Sequence, residues 1–255
     1  MATEQTAPRI LVPIDLQGIS KRNLETLVHI ARQLDRGLLG LLLEDVRLQR
    51  VADLPFTTEI TLASGTERSL QRAQLSQQYT RVSSDTRHLL GELAHRNRVE
   101  LVFESAVGGR LHTAFERNGQ QDIFFPARQR WRLVSASPVK SGTVIRRLGM
   151  VLADTAQDAK VVDCANLLQQ AGLVGEIHVL SHRALERGAL DRLFRPGRRI
   201  CVQANLSREP STISRLIRQS AYDLLLLPRD CLRGITQDTL ESALNEAGGQ
   251  VLVVN

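Results

Sequence analysis

The chain repeats two short sequence patterns, with one copy of each in either half. An apolar segment that ends in an aspartate occupies residues 11–15 and returns at residues 150–154. A second segment begins with an aspartate, continues as apolar residues and ends in a proline followed closely by an arginine. It occupies residues 122–128 and 223–229. Because each copy of an internal repeat must form a similar supersecondary unit, we predict a tandem protein.

The composition is that of a globular protein with a substantial core. Of the 255 residues, 42% are hydrophobic and 24% are charged, and both values are ordinary for such proteins. No apolar run is long enough (about 18 residues) to span a bilayer, so we expect no membrane insertion. Residues 1–8 lack the basic-then-apolar plan of a secretory signal. Cys164, Cys201 and Cys231 are scattered and odd in number, which favours the cytoplasm over a disulfide-forming compartment.

The net charge is +6, and such a surface can attract phosphates or acidic partners. Of the 33 basic residues, only Lys21, Lys140 and Lys160 are lysines. The arginines are spread along the chain, and aromatic residues make up only 4% of it. A nucleic-acid groove usually clusters its basic residues and adds stacking rings. We therefore interpret the arginines as a solvated surface and do not expect nucleic-acid binding.

Short apolar runs alternate with amphipathic stretches along the chain. The predicted strands cover residues 9–14, 38–43, 99–104, 123–125, 148–153, 176–180, 199–203, 224–227 and 251–254. Between them the spacing of apolar residues predicts helices. One begins at an N-cap Ser20, and a long one covers residues 67–97, whereas residues 47–60 are expected to be irregular or partly helical. Alternating strands and helices predict parallel sheets with right-handed crossovers.

The two copies predict two domains, residues 1–145 and residues 146–255, each an α/β unit built on a parallel five-stranded sheet. The second copy is shorter because it lacks the irregular segment and the long helix of the first. The first copy has too few residues after its fourth strand to form both a last helix and a last strand. We therefore expect the first unit to be modified at its C-terminal end, with an irregular strand at residues 131–135.

Two segments resemble the universal stress protein family: residues 10–15 with the helix that follows them, and residues 222–255. The resemblance extends over most of the chain, as a tandem of two such domains. It implies five-stranded α/β units of flavodoxin-like appearance. ATP-binding members of the family carry Gly-x2-Gly-x9-Gly-Ser/Thr after the fourth strand, where the glycines let backbone amides approach phosphates.

Other residues occupy the glycine positions of that motif in this sequence. In the second copy these positions fall on Pro228, Cys231 and Glu241, and only Ser242 agrees with the motif. Proline has no amide to donate, cysteine adds a side chain where close approach is needed, and glutamate brings negative charge toward a triphosphate. In the first copy the same positions hold Pro126, Gln129, Val139 and Lys140. We therefore predict that both phosphate loops are lost and that no cofactor is bound, with ATP or AMP as the disfavoured alternative.

Three residues remain as candidates for a small-ligand site: Asp15, Val46 and Ser242. The resemblance implies that Asp15 faces the adenosine side of the site, with Asp154 as its equivalent in the second copy. Val46 follows the second predicted strand, and ligands bind at the carboxyl ends of strands in such sheets. Ser242 is the position that keeps the family motif. An aspartate in a turn commonly bonds nearby amides instead, and we favour that role for both aspartates.

Other chemical signals in the sequence are weak. His88 and His95 lie about two turns apart on the predicted long helix, too far apart to share one metal, and His178 and His182 flank a strand end. The sequence lacks Cys-x-x-Cys, His-Glu-x-x-His, a Walker loop and a Gly-x-Ser-x-Gly elbow, so we predict neither a metal site nor catalytic residues. Cys231 would be reactive if a nearby helix start lowered its thiol pKa, but we favour an inert, partly buried thiol.

These observations favour a non-enzymatic, stress-response or regulatory protein of the universal stress type that binds a partner or a small ligand. We expect a homodimer formed through the apolar last strand, residues 251–254, or a pseudo-dimer of the two halves. The alternative is a sensor that binds adenine nucleotides in a divergent pocket near Asp15. A third interpretation, an enzyme of the wider adenine-nucleotide hydrolase-like superfamily, has no catalytic constellation to support it.

Overall fold

The structure is a computed structural model. It describes residues 8–16, 18–60, 64–117, 121–128, 144–184, 194, 199–207, 209–219 and 221–255. The strand predicted at residues 131–135 lies outside these residues, as do the motif positions Gln129, Val139 and Lys140.

The first half alternates strands and helices, with a small hairpin inserted in the middle. Its strands are β1 (Arg9–Ile14), β2 (Gly37–Glu44), β3 (Thr58–Ile60), β4 (Glu67–Ser69), β5 (Leu101–Val107) and β6 (Asp122–Phe125). Its helices are α1 (Lys21–Gln33), α2 (Val46–Ala52), α3 (Arg72–Asn97) and α4 (Arg110–Arg117). The predicted N-cap of α1 is confirmed, since the Ser20 hydroxyl accepts a hydrogen bond from the Asn23 amide.

The second half repeats the alternation without the hairpin. Its strands are β7 (Ile145–Leu152), β8 (Val174–Ser181), β9 (Ile200–Gln203), β10 (Leu224–Pro228) and β11 (Gln250–Val254). Its helices are α5 (Asp158–Gln170), α6 (Pro210–Gln219) and α7 (Gln237–Glu246), with a short 3₁₀ turn at Arg229–Leu232. Pro210 opens α6, where a missing amide does no harm because the first-turn amides lack helical partners.

One nine-stranded sheet runs through both halves, in the order β5-β2-β1-β6-β11-β10-β7-β8-β9. Neighbouring strands are parallel within each half, whereas β6 and β11 pair antiparallel where the halves meet. The carboxyl ends of the first-half strands therefore lie at one edge of the sheet, and those of the second-half strands lie at the opposite edge. We call these the first-half edge and the second-half edge.

The structure confirms an α/β fold, but it replaces the two predicted five-stranded sheets by one. The first half contributes β5, β2, β1 and β6 to the sheet, and β11 occupies the position beside β6 where a fifth strand was expected. Strand β11 supplies hydrogen-bond partners for the backbone amides and carbonyls on that side of β6. A fifth strand from the first half is therefore not needed there. Because β11 also pairs with β10 on its other side, it has no free edge to pair with the β11 strand of a second copy. The prediction that a homodimer forms through residues 251–254 is therefore wrong.

The long helix of the first half begins later than the sequence predicted. Residues Glu67–Ser69 form β4, which pairs antiparallel with β3, and α3 starts only at Arg72. The pattern of apolar residues could not separate this short, exposed strand from the first turn of a helix. The predicted excursion over residues 47–60 holds most of α2 and all of β3.

Apolar layers cover both faces of the sheet. Helices α1, α3 and α5 pack on one face, and α4, α6 and α7 pack on the other. This two-sided cover explains why β2 and β10 are almost continuously apolar and buried, as expected of parallel strands between helical layers. Within the described residues, no helix is both long and apolar enough to cross a membrane.

Gly149, on β7, lies on the sheet face covered by α4, α6 and α7 and shows how tightly that face is packed. The ring of Tyr222 lies directly on it, so a Cβ atom at this position would be 2.6 Å from Cδ2 of Tyr222 and 2.9 Å from Cδ1 of Leu225. Replacing Gly149 with alanine should therefore lower the free energy of unfolding by about 1–3 kcal/mol, because the ring must move. Urea unfolding measures this change.

Gly91→Ala is the matched control for that experiment. Gly91 lies inside α3, and an added Cβ would meet no atom within 4 Å beyond the backbone of its own helix. Alanine is favoured over glycine in helices by about 1 kcal/mol, so this variant should gain stability. A Gly149→Ala variant that also gains stability would contradict the packing of Tyr222.

Candidate functional site

Asp15 lies at the first-half edge, just after β1, and pairs with Arg128, which follows the neighbouring strand β6. The Arg128 guanidinium donates from Nη1 to Oδ1 of Asp15 at 3.1 Å and from Nη2 to Oδ2 at 2.5 Å. The two side chains are only 24% and 13% exposed. The backbone of Asp15 also forms a turn, since its carbonyl accepts from the Gly18 amide at 2.9 Å. The carboxylate proposed to face a nucleoside is thus committed to a bidentate ion pair.

A second arginine, Arg110, is buried beside this pair at the start of α4. Its guanidinium lies 5.3 Å from the centre of the Phe125 ring, and Nη1 is 3.5 Å from Oδ1 of Asn245. Burial and, to a smaller extent, the positive charge of Arg128 lower the pKa of Arg110 to about 10. Among the described residues, Nε of Arg110 has no hydrogen-bond partner. Two cations and one carboxylate therefore close the first-half edge.

Val46 and Ser242 take no part in this cluster. Val46 is the first residue of α2, at the same edge, and the helix is capped by Asp45, whose Oδ1 accepts from the Arg47 amide at 2.8 Å. Ser242 lies on α7, where its hydroxyl donates to Oε1 of Glu246 and accepts from Nη2 of Arg218. Asp15 and Val46 thus lie at the same edge, whereas the Ser242 hydroxyl is hydrogen-bonded to residues of the second half.

The second-half edge is closed by a carboxylate of its own. Asp158, at the start of α5, accepts from the amides of Ala153 and Asp154 at 3.1 and 2.9 Å and from the hydroxyl of Thr155 at 3.0 Å. Asp154 itself sits in a turn with φ of +58° and pairs with Nε of Arg183 at 2.8 Å. The amides that follow β7 are therefore occupied by an internal anion.

Residues after β10, where the resemblance implies glycines, make contacts of their own. Pro228 ends β10 and pairs with Val254, and the next amides belong to the 3₁₀ turn, where Asp230 donates its amide to Oε1 of Gln157 at 3.0 Å. Glu241 reaches the first half and lies 3.8 Å from Nη2 of Arg47. Pro228 has no amide and the amide of Asp230 is already bonded, so neither position can donate to a phosphate.

Cys231 is partly buried in this loop, and its environment makes the thiol less acidic. Burial and, to a smaller extent, the carboxylates of Asp158 and Asp230 raise its pKa to about 12. Burial likewise raises the pKa of Cys164 to about 12, whereas Cys201 is exposed. The arrangement agrees with an inert Cys231.

Two of the histidines illustrate the contacts that these side chains make. His88 lies 3.5 Å from Glu92 on α3, and Nδ1 of His182 is 2.6 Å from the carbonyl of Leu206. In the described part of the chain, no group of three or more histidine, cysteine or acidic side chains is placed to hold a metal ion.

Sequence reasoning named Asp15 as a candidate but missed Arg110 and the role of Arg128. Arg128 ends one of the repeated segments, yet its counterpart Arg229 does something different: it stacks on the Phe115 ring and donates to the Phe115 carbonyl at 3.2 Å. The repeat therefore marked Arg128 as part of a pattern without showing its partner. Nothing in the local sequence distinguishes Arg110 from the many surface arginines.

Comparisons with known proteins name no family. No family model matches the chain, and no curated protein matches it. Among solved structures, it is weakly similar to lysine monooxygenase NbtG from Nocardia farcinica, described for an unprecedented NADPH domain conformation. The identity is 14% and the TM-score 0.16, over 71% of this chain and 58% of that one. The chain thus spans less than two thirds of that enzyme's length, and so low a TM-score supports no inference about fold or function.

The Asp15–Arg128 pair should contribute measurably to stability. A double-mutant cycle of Asp15→Ala and Arg128→Ala should give a coupling energy of about 1–3 kcal/mol, because the pair is bidentate and mostly shielded from water. The control is the Arg81–Asp85 pair on α3. Its side chains are 84% and 74% exposed and Nε of Arg81 lies 3.9 Å from Oδ2 of Asp85, so the coupling energy should be close to zero. Equal coupling in both cycles would mean that Asp15 and Arg128 are not held together in solution.

The three thiols should differ in reactivity. In the native protein at pH 8, iodoacetamide should alkylate Cys201 and spare Cys164 and Cys231, because thiolate is the reactive form and burial raises the pKa of both spared thiols. Peptide mass spectrometry identifies the alkylated residue, and Cys201→Ser should abolish labelling. Rapid native labelling of Cys231 would contradict its assignment as inert.

Proposed function

We propose that the chain is a non-enzymatic regulatory protein of the universal stress type, a tandem of two related units that binds a partner or a small ligand and lacks the family's ATP phosphate loop. The observation that carries the proposal is the bidentate ion pair between Asp15 and Arg128. It fills the place where the resemblance implies a nucleoside, and a protein that used this pocket for ATP would have to break the pair first.

The order of strands supports a tandem relation. From the outer side inward, the first half runs third, second, first and fourth strand when the hairpin is set aside, and the second half runs in the same order before its fifth strand. In each half an aspartate, Asp15 or Asp154, also follows within two residues of the end of the first strand. This agreement supports two related units, with residues 1–145 and 146–255 as their proposed extents.

The closed edges support the loss of ATP binding. Pro228 offers no amide, Asp158 already occupies the amides after β7, and the carboxylate of Glu241 would repel a triphosphate. A phosphate site of this kind depends on unoccupied backbone amides, and these contacts leave fewer of them at the second-half edge. The pairing of β6 with β11 in turn supports a pseudo-dimer of the two halves within one chain, and we place the protein in the cytoplasm.

One observation favours the alternative, a sensor of adenine nucleotides. Arg110 and Arg128 both lie at the first-half edge beside Asp15, and Arg110 is buried without a carboxylate in contact among the described residues. If the Asp15–Arg128 pair opened, these cations would attract a phosphate. The alternative therefore predicts that a nucleotide competes with Asp15 for Arg128.

Nucleotide binding separates the two proposals. The purified protein should contain no co-purified nucleotide by mass spectrometry, and ATP, ADP, AMP and cyclic AMP at millimolar concentration should leave its Tm unchanged. Asp15→Ala should respond in the same way, with Asp154→Ala as the control at the other edge. Micromolar ATP binding that Asp15→Ala changes and Asp154→Ala does not would overturn the proposal in favour of the sensor: binding strengthens if the nucleotide competes with Asp15 for Arg128 and weakens if it contacts Asp15 itself. Sustained phosphate release would support an enzyme.

A further inference from the structure

A groove lies on the outer side of the second half, on the sheet face covered by α4, α6 and α7. It has a volume of about 410 Å³ and is bounded by β8, β9 and α6. Helix α6 directs Ile213 and Ile217 into the same apolar layer as Leu225 and Leu227 of β10, so the helix leaves part of the face of β8 and β9 open. The volume falls within the range of sites that hold small organic ligands.

The floor of this groove is aromatic. The Tyr222 ring lies on Gly149 of β7, and its centre is 5.3 Å from that of the His178 ring, at an interplanar angle of 55°. Both side chains are half-buried, and Leu206 and Leu216 add apolar walls. A floor of this kind favours a flat, unsaturated ligand, since rings prefer offset or tilted stacking on other rings.

The rim of the groove is basic. Arg215 projects from α6, lines the groove and forms no ion pair with any described residue. Arg147, at the same groove, is partly neutralised by Glu176, which lies 2.9 Å from its Nε. Arg146 and Arg199 line an adjoining cleft together with Arg147. A guanidinium without a counter-ion beside an apolar floor is a preferred partner for a carboxylate or a phosphate.

We propose that this groove binds a small planar anion, meaning an aromatic or heteroaromatic ring that carries a carboxylate or a phosphate. The ring lies on Tyr222 and His178, and the anionic group pairs with Arg215. The hydroxyl of Thr212 and the amide of Gln203 line the same space and supply polar contacts for ring substituents. The site uses neither Asp15 nor the phosphate-loop positions, so it stands independently of the universal stress proposal.

Matched naphthalene probes test the chemistry of this site. 2-Naphthoate, 2-naphthyl phosphate and 2-naphthylmethylamine share one ring and differ in charge, while acetate and inorganic phosphate are anions without a ring. Calorimetry should detect binding of at least one naphthalene anion, with the amine weaker by about tenfold or more because Arg215 repels it. The preferred anion tells whether the site takes carboxylates or phosphates. Failure of both anions to bind at millimolar concentration overturns the proposal, as does equal binding of the amine.

Variants of the two recognition elements locate the site. Arg215→Gln should weaken the bound anion by about tenfold, whereas Arg233→Gln, an exposed arginine paired with Asp230 in the 3₁₀ turn region, should leave it unchanged. Tyr222→Phe keeps the ring and should bind as the wild type does, whereas Tyr222→Leu should weaken the anion by about tenfold through loss of stacking.

Amide chemical shifts of the folded wild-type protein provide a readout that does not depend on how these variants fold. The probe should perturb residues of β8, β9 and α6. Perturbations confined to the residues around Asp15, or an Arg215→Gln variant that binds as tightly as the wild type, would place the ligand elsewhere and overturn the proposal.

Discussion

Strands β6 and β11 run in opposite directions and share the register pairs Ile123–Val253, Phe124–Leu252 and Phe125–Val251. All six side chains are buried, so the two halves share one core on each side of the sheet. At the end of this pairing, the Asn255 amide donates to Oδ1 of the fully buried Asp122 at 3.0 Å.

The junction buries the carboxyl group of Asp122, which therefore needs partners from several parts of the chain. Burial raises the pKa of its carboxyl group, and the Asn255 amide and Arg36 partly oppose that rise. Nη1 of Arg36 lies 2.8 Å from Oδ2 of Asp122, and Lys160 donates to the Asn255 carbonyl at 2.7 Å. A buried carboxylate without partners is strongly destabilising. These contacts therefore fix Asn255, the connection from α1 to β2, helix α5 and the start of β6 together.

The antiparallel junction also decides which segments can meet. Because the carboxyl ends of the two sets of strands face opposite edges, the aspartates Asp15 and Asp154 cannot contribute to a common site, although the sequence presents them as equivalents. Helix α7 instead crosses between the halves: Glu241 approaches Arg47, and Asn245 accepts from Arg110. Helix α7 of the second half thus supports the first half, whose described residues contribute no strand after β6 to the sheet.

Sequence reasoning recovered what is encoded locally. The apolar runs of β2 and β10 and the cap at Ser20 depend on neighbouring residues, and these predictions are confirmed. The junction of β6 with β11 joins segments more than a hundred residues apart, and any exposed apolar strand of suitable length could have taken that position. The Asp15–Arg128 pair follows from the adjacency of β1 and β6, which a periodicity of hydrophobic residues does not specify.

The contacts at the two edges leave little place for a ligand, and a groove away from the edges is better suited to one. At both edges the polar groups already have partners within the chain. Arg128 pairs with Asp15, and Asp158 accepts hydrogen bonds from the amides after β7. A ligand there must displace an intramolecular partner whose effective concentration is high. In the groove beside β9, Arg215 has no such competitor among the described residues, and the Tyr222 ring is already ordered by its packing on Gly149. Pre-ordered groups lose little entropy on binding, and this groove places the exposed guanidinium of Arg215, which pairs with no described acidic side chain, beside the packed ring of Tyr222.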